Sequence, residues 1–216
     1  MNNPTIAKTF GWMFIGLLVT FLTGYGISMN PNMLLNVMST TGLILIVIVE
    51  FALVFFLSAR ITKMKPITAK ISFLLYSFVS GLTFSSIFVV YEMTSIMFVF
   101  LITALVFAIF ALLGATTKID LTKIGTYLIM GLFAVILVSI VNIFLNSSSL
   151  DFFLSIIIVL IFIGFTAYDV QRIRRLNEKG LIEEDNLAIY GALELYLDYI
   201  NLFLQLLSLF GSSNDN

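Results

Sequence analysis

Four carboxylates stand inside hydrophobic runs of this chain: Glu50, Asp169, Glu194 and Asp198. An acidic side chain near the centre of a bilayer costs about 2.5–3.5 kcal/mol on insertion scales, so each is expected to face a bundle interior or a cavity and to have a partner there. Two of the four share a polar stripe. At 100° per residue, Glu194, Asp198, Asn201, Gln205 and Ser208 in YGALELYLDYINLFLQLLSLF fall within roughly an 80° arc, which needs protein or water beside it rather than lipid. Two carboxylates held close in a low dielectric cannot both ionise cheaply, so they share a proton and one apparent pKa rises toward neutrality. An arginine alongside supplies compensating charge in a fork that fits a carboxylate.

The chain has no cysteine and no histidine. That excludes a disulfide, a thiolate nucleophile, a Cys/His zinc site and imidazole acid–base catalysis, and leaves proton chemistry to Asp, Glu, Lys or Tyr. Of the 216 residues 60% are hydrophobic and 11% charged, where a soluble domain carries about 25% charged residues. The chain therefore reads as an integral membrane protein, and soluble classes, nucleic-acid binders among them, are set aside.

The elements that must position these residues are apolar runs close to the roughly 20 residues a helix needs to cross a hydrocarbon core. Seven such spans are expected, at about 10–27, 41–59, 69–90, 96–114, 124–145, 152–170 and 187–210. Together they make one all-α domain over residues 1–216 with no soluble domain. The first run, behind Lys8, reads as a signal anchor rather than a cleaved signal peptide. The third carries Tyr76, Ser77, Ser80, Gly81, Thr83, Ser85 and Ser86, small and hydroxyl residues that let helices approach closely. The fourth is almost featureless and is expected to face lipid. A strongly charged loop is expected from the end of span six to about Asp185.

Charge fixes the topology. When the two sides are numbered alternately, all eleven Lys and Arg residues fall on the side of the N-terminus. The positive-inside rule then puts the N-terminus in the cytoplasm and the C-terminus outside. Span two ends on the cytoplasmic side at Arg60 and span six at Asp169. Asp198 lies roughly 18 Å along the last helix if that helix starts near Asn186. Asp169, Asp198 and Arg60 could then share one level as a pH-sensitive latch. Simpler roles stand beside this one. Asp169 precedes Arg172 by three residues, a spacing that suits a local surface ion pair. Glu194 and Asp198 could be hydrogen-bonded structural carboxylates, and Glu50 is the deepest and least paired. Asn142, Asn146, Asn201 and Gln205 suit interhelical hydrogen bonds, and Tyr168, Tyr190, Tyr196 and Tyr199 suit packing or interface anchoring.

A span ending in AYDV, a charged loop and then ELYLDYINLFLQLL resembles the Bax inhibitor-1 family, also called the transmembrane Bax inhibitor motif family. SGLTFSS at Ser80 to Ser86 and the Glu50 to Arg60 span are also similar to bacterial members, so the resemblance covers essentially the whole chain. It implies a seven-helix fold whose last helix is central and surrounded by the other six. It also implies a calcium-permeable leak channel in a bacterial cytoplasmic membrane, gated by pH through a di-aspartyl sensor that an arginine latches. By motif those roles fall to Asp169, Asp198 and Arg60. The tail SSNDN lacks the basic character of eukaryotic members, so functions attributed to such tails do not transfer.

The expected partners are the lipid bilayer, protons and Ca²⁺ as the transported ion, with no cofactor. Calcium prefers oxygen ligands. Glu50, Glu194, Asp198 and Asn201 could supply them transiently along a pathway, and Asp169 with Asp198 could form a weak calcium site. Weak sites suit conduction. No enzymatic activity is expected. An intramembrane aspartyl protease would use the same two aspartates, but LYLDY lacks the glycines of the GxGD motif. A proton-coupled transporter of a small solute is the other alternative.

Overall fold

The computed structural model describes residues 4–214, and among these the ordered elements are helices. They are α1 (Pro4–Ser28), α2 (Pro31–Met38), α3 (Thr40–Arg60), α4 (Pro66–Phe84), α5 (Ile87–Val90), α6 (Met93–Thr116), α7 (Thr122–Leu145), α8 (Ser148–Lys179) and α9 (Glu184–Phe210). Seven stretches are long and apolar enough to cross a membrane, with α4 and α5 counting as one span from Pro66 to Val90. This matches the seven runs read from the sequence.

The local differences have local causes. α2 fills the connection between the first two expected spans, because Pro31 presets its first turn and the Asn30 side chain accepts a hydrogen bond from Met33 N at 3.2 Å. α8 continues nine residues beyond the expected end at Val170 and replaces the first part of the charged loop. QRIRRLNEK is composed mostly of good helix formers, Ile173 is buried within it, and the helix ends only where Gly180 takes φ +61. Between α4 and α5 the Ser85 and Ser86 hydroxyls donate to Leu82 O and Thr83 O at 2.6 and 2.9 Å, and the backbone tightens to i→i+3 bonds.

The chain clusters into two compact units. The first comprises Met1–Met93, Leu176–Tyr196 and Ser213–Asn216, and the second Thr94–Arg175 and Leu197–Ser212. In the first unit, α1 buries Thr5, Thr9, Met13, Gly16, Leu17, Thr20 and Gly24 along one helical face. That stripe of small and hydroxyl side chains admits α4, whose Phe73 and Ser77 lie against Gly16. Tyr196 is the centre of this packing. It is fully buried, stands edge-on to Phe73 and Tyr76 at 5.8 Å each, and its hydroxyl lies 2.6 Å from that of Thr20. At one end of the unit the first turn of α9 carries Glu184 and Asp185, which suits a helix N-terminus. Lys8 reaches Glu184 at 2.9 Å, and Lys70 reaches Asp185 at 2.6 Å.

In the second unit, α6 buries Ile96, Val99, Thr103, Phe107, Ala111 and Gly114, again one helical face. The expectation that this span faces lipid is therefore corrected. Its near-uniform hydropathy concealed a packed stripe, and α3 and α7 are the more exposed spans, with 6% and 11% of their most apolar stretch buried against 28% for α6. Small residues let α8 approach its neighbours: a Cβ on Gly114 would collide with the Ala167 backbone, and one on Gly125 would collide with the Tyr168 ring. α9 is the most buried span, at 72% of its most apolar stretch, and contributes residues to both units.

Candidate functional site

Asp169 and Asp198 are 5% and 4% exposed, and they are the only buried Asp, Glu, Lys or Arg residues among the described residues. Both belong to the second unit. Asp169 sits in the last third of α8 beside Val170 and Ile173, whose near-complete burial fixes that face of the helix inward. Arg172 Nη1 lies 3.9 Å from its Oδ1, the i,i+3 spacing read from the sequence, with the arginine itself half-exposed. Asp198 is held by its neighbours on α9. Tyr199 packs edge-on to Phe100 and Phe107 at 5.3 and 5.5 Å, and its hydroxyl donates to Phe100 O at 2.8 Å. Leu202 and Phe203 bury the following turn.

Just past Asp169, α8 grips the connection between α6 and α7. The buried Gln171 side chain donates to Ile119 O at 2.8 Å and accepts from Leu121 N at 2.9 Å. Arg174 Nη1 donates to Ala115 O, and Arg175 Nη1 meets Asp120 Oδ1 at 2.6 Å. Sequence reading missed this clamp. A glutamine and two arginines after AYDV carry no signal of their own, because their partners, backbone groups for Gln171 and Arg174 and the Asp120 and Thr122 side chains for Arg175, lie some fifty or more residues away in the chain.

Asp120 is exposed, and the Thr122 hydroxyl, the Thr122 N–H and Arg175 hold its carboxyl far below the usual aspartate range. A carboxyl lowered in the folded state contributes stability above its unfolded pKa of about 3.9 and loses it only as pH falls through the folded value. The amide protection factors of residues 117–122, which are corrected for the intrinsic pH dependence of exchange, are therefore expected to stay about as high at pH 4 as at pH 7. Loss of protection in step with half-protonation of an ordinary aspartate would show that the tether is absent.

The other expected residues are placed as follows. In the first unit, Glu50 is half-buried on α3 and accepts a hydrogen bond from Thr83 Oγ1 at 2.9 Å. Glu194 is half-buried, and Arg60 is exposed at the end of α3, with no ion pair among the described residues. In the second unit, Asn201 is half-buried and donates to Leu197 O at 2.8 Å. Of the polar stripe on α9, only Asp198 is buried. Glu194, Asn201 and Gln205 are half-buried and Ser208 is exposed, so the stripe is the less covered face of the most buried span. Asn142 joins Asp151 at 2.5 Å and Ser147 O at 3.2 Å, a cap between α7 and α8. Among the described residues, no group of three or more His, Cys, Asp or Glu side chains could hold a metal ion.

Residues 2–215 match the family described as Inhibitor of apoptosis-promoting Bax1. An uncharacterized protein of Borreliella burgdorferi is 41% identical over 222 residues, covering 100% of this chain and 95% of its own length. Inner membrane protein YbhL of Escherichia coli K12 is 42% identical over 212 residues, 96% of this chain and 91% of its own. An uncharacterized membrane protein of Streptococcus pyogenes serotype M1 is 38% identical over 169 residues, 77% of this chain and 73% of its own.

Proposed function

We propose a pH-sensitive cation leak channel, starting from the fact that the chain belongs to the Bax inhibitor-1 family of multi-pass membrane proteins. The cation is Ca²⁺, the membrane is the cytoplasmic membrane of a bacterium, and the N-terminus faces the cytoplasm. One observation carries this reading: the only two buried Asp or Glu side chains among the described residues are Asp169 and Asp198, at the positions where the family resemblance puts a sensor.

In this reading the two aspartates share a proton near neutral pH, and the occupancy of that proton sets whether the channel is open or closed. Arg60 enters as the latch from sequence and resemblance alone. The half-covered stripe of Glu194, Asn201 and Gln205 offers oxygens to a passing cation, and Glu50 offers another. All are weak ligands that bind and release.

The test is Ca²⁺ uptake into proteoliposomes loaded with a calcium indicator, measured between pH 6 and pH 8 with the membrane potential clamped. Uptake that exceeds protein-free liposomes and varies with pH is expected. Uptake indistinguishable from empty liposomes at every pH would overturn the reading. Uptake of a small solute that saturates and follows the pH gradient would replace the channel with a proton-coupled transporter.

A further inference from the structure

We propose that the turn joining α3 to α4, with the apolar helix faces beside it, binds an anionic phospholipid. The sequence supplies the charge. From Phe51 to Tyr91 there is no acidic residue, while Arg60, Lys63, Lys65 and Lys70 provide four cations. Lys70 is taken up by Asp185 at 2.6 Å. The remaining three are exposed and form no ion pair among the described residues. They crowd into six residues of tight backbone, where Lys63 N and Met64 N both donate to Arg60 O, at 2.8 and 3.1 Å.

The turn is built in place. Ile61 and Ala69 on either side of it are fully buried, and Asn186 Nδ2, from the start of α9, donates to Met64 O at 2.7 Å. The cations are thus presented by an anchored turn rather than by a loose loop. Directly beside them α3 exposes Phe55 and Phe56, and α4 exposes Ile67 and Ile71, with Phe55 at 71% and Ile67 at 61%. Cations at a helix boundary above apolar walls complement both halves of an anionic phospholipid, the phosphate and the acyl chains. The loop between α6 and α7 provides the contrast. Lys118 and Lys123 there are also exposed, and Asp120 between them is paired with Arg175, so this loop serves as a second basic turn for comparison.

The proposal is tested on the purified full chain by thermal unfolding in mixed micelles containing either phosphatidylglycerol or phosphatidylcholine. Phosphatidylglycerol is expected to raise the unfolding temperature above that in phosphatidylcholine. Lys63→Gln combined with Lys65→Gln should remove most of that rise while leaving the phosphatidylcholine value unchanged. Lys118→Gln combined with Lys123→Gln, which removes the same charge elsewhere, should leave the rise intact. Equal losses in both double variants would mean only that a basic surface attracts anionic lipid, and the site would be overturned. It would also fall if wild type showed no rise at all. Neither pair includes an aspartate or Arg60, so this outcome is independent of the channel reading.

Discussion

Asp169→Asn and Asp198→Asn are each expected to flatten the pH dependence of Ca²⁺ uptake while leaving the fold intact. Asparagine keeps the size of the carboxyl group and one accepting oxygen, puts a donating NH2 in place of the other, and removes the titration. A single proton changes an equilibrium by about 1.4 kcal/mol, or about tenfold, per pH unit at most. Wild-type uptake should therefore vary by up to about tenfold per unit near its midpoint if the pair is the sensor. With one partner gone, the remaining aspartate lacks the like charge that split the two titrations, and the wild-type pH profile is lost. Uptake across pH 6 to pH 8, together with an unchanged thermal melt, measures this. A variant that keeps the wild-type midpoint and steepness would remove both aspartates from the sensor.

The second large effect is structural and falls on the same helix. Gly114→Ala is expected to destabilise the protein by about 3 kcal/mol, toward the upper end for overpacking. The added Cβ would collide with the carbonyl oxygen, carbonyl carbon and Cα of Ala167. Backbone cannot swing aside as a side-chain tip does, so α8 itself must shift, two residues before Asp169. The gain of about 1 kcal/mol that alanine brings over glycine within a helix is too small to offset this. Gly131→Ala is the matched control. There the nearest atom is Ile161 Cδ1 at 3.5 Å, an ordinary contact, and the substitution should be neutral or stabilising. Thermal melts in one detergent compare the two. Similar behaviour at both positions would show that α8 does not pack against α6 as described.

Much of this architecture was legible in the sequence because membrane insertion imposes length and hydropathy together. All seven spans were recognisable, and their charged ends alternate in a way the ion pairs respect. Lys8, Lys70 and Asp185 meet at helix starts that the count places on one side, and Arg175 meets Asp120 at ends it places on that same side. What hydropathy could not convey was which face of an apolar helix is covered. α6 looked blank because Val99, Thr103, Phe107 and Ala111 differ from their lipid-facing neighbours in partners and not in polarity. The end of α8 was misread for the opposite reason. Its charges resemble a loop, yet Gln171, Arg174 and Arg175 find their partners on the adjacent connection. The aspartates stood out because an ionisable group in an apolar run is costly wherever it lands. The Tyr196–Thr20 contact did not, since hydroxyls are cheap in a helix and common.

α9 has a consequence for biosynthesis. One unit includes Leu176–Tyr196 and the other Leu197–Ser212, so each unit includes a segment of α9, which is made after the other six spans. Until α9 is made, the other six spans are an unfinished assembly, held by hydrophobic insertion and by the packing they make among themselves. Completion of both units is coupled to the synthesis of α9, and a chain stopped before it lacks part of each core.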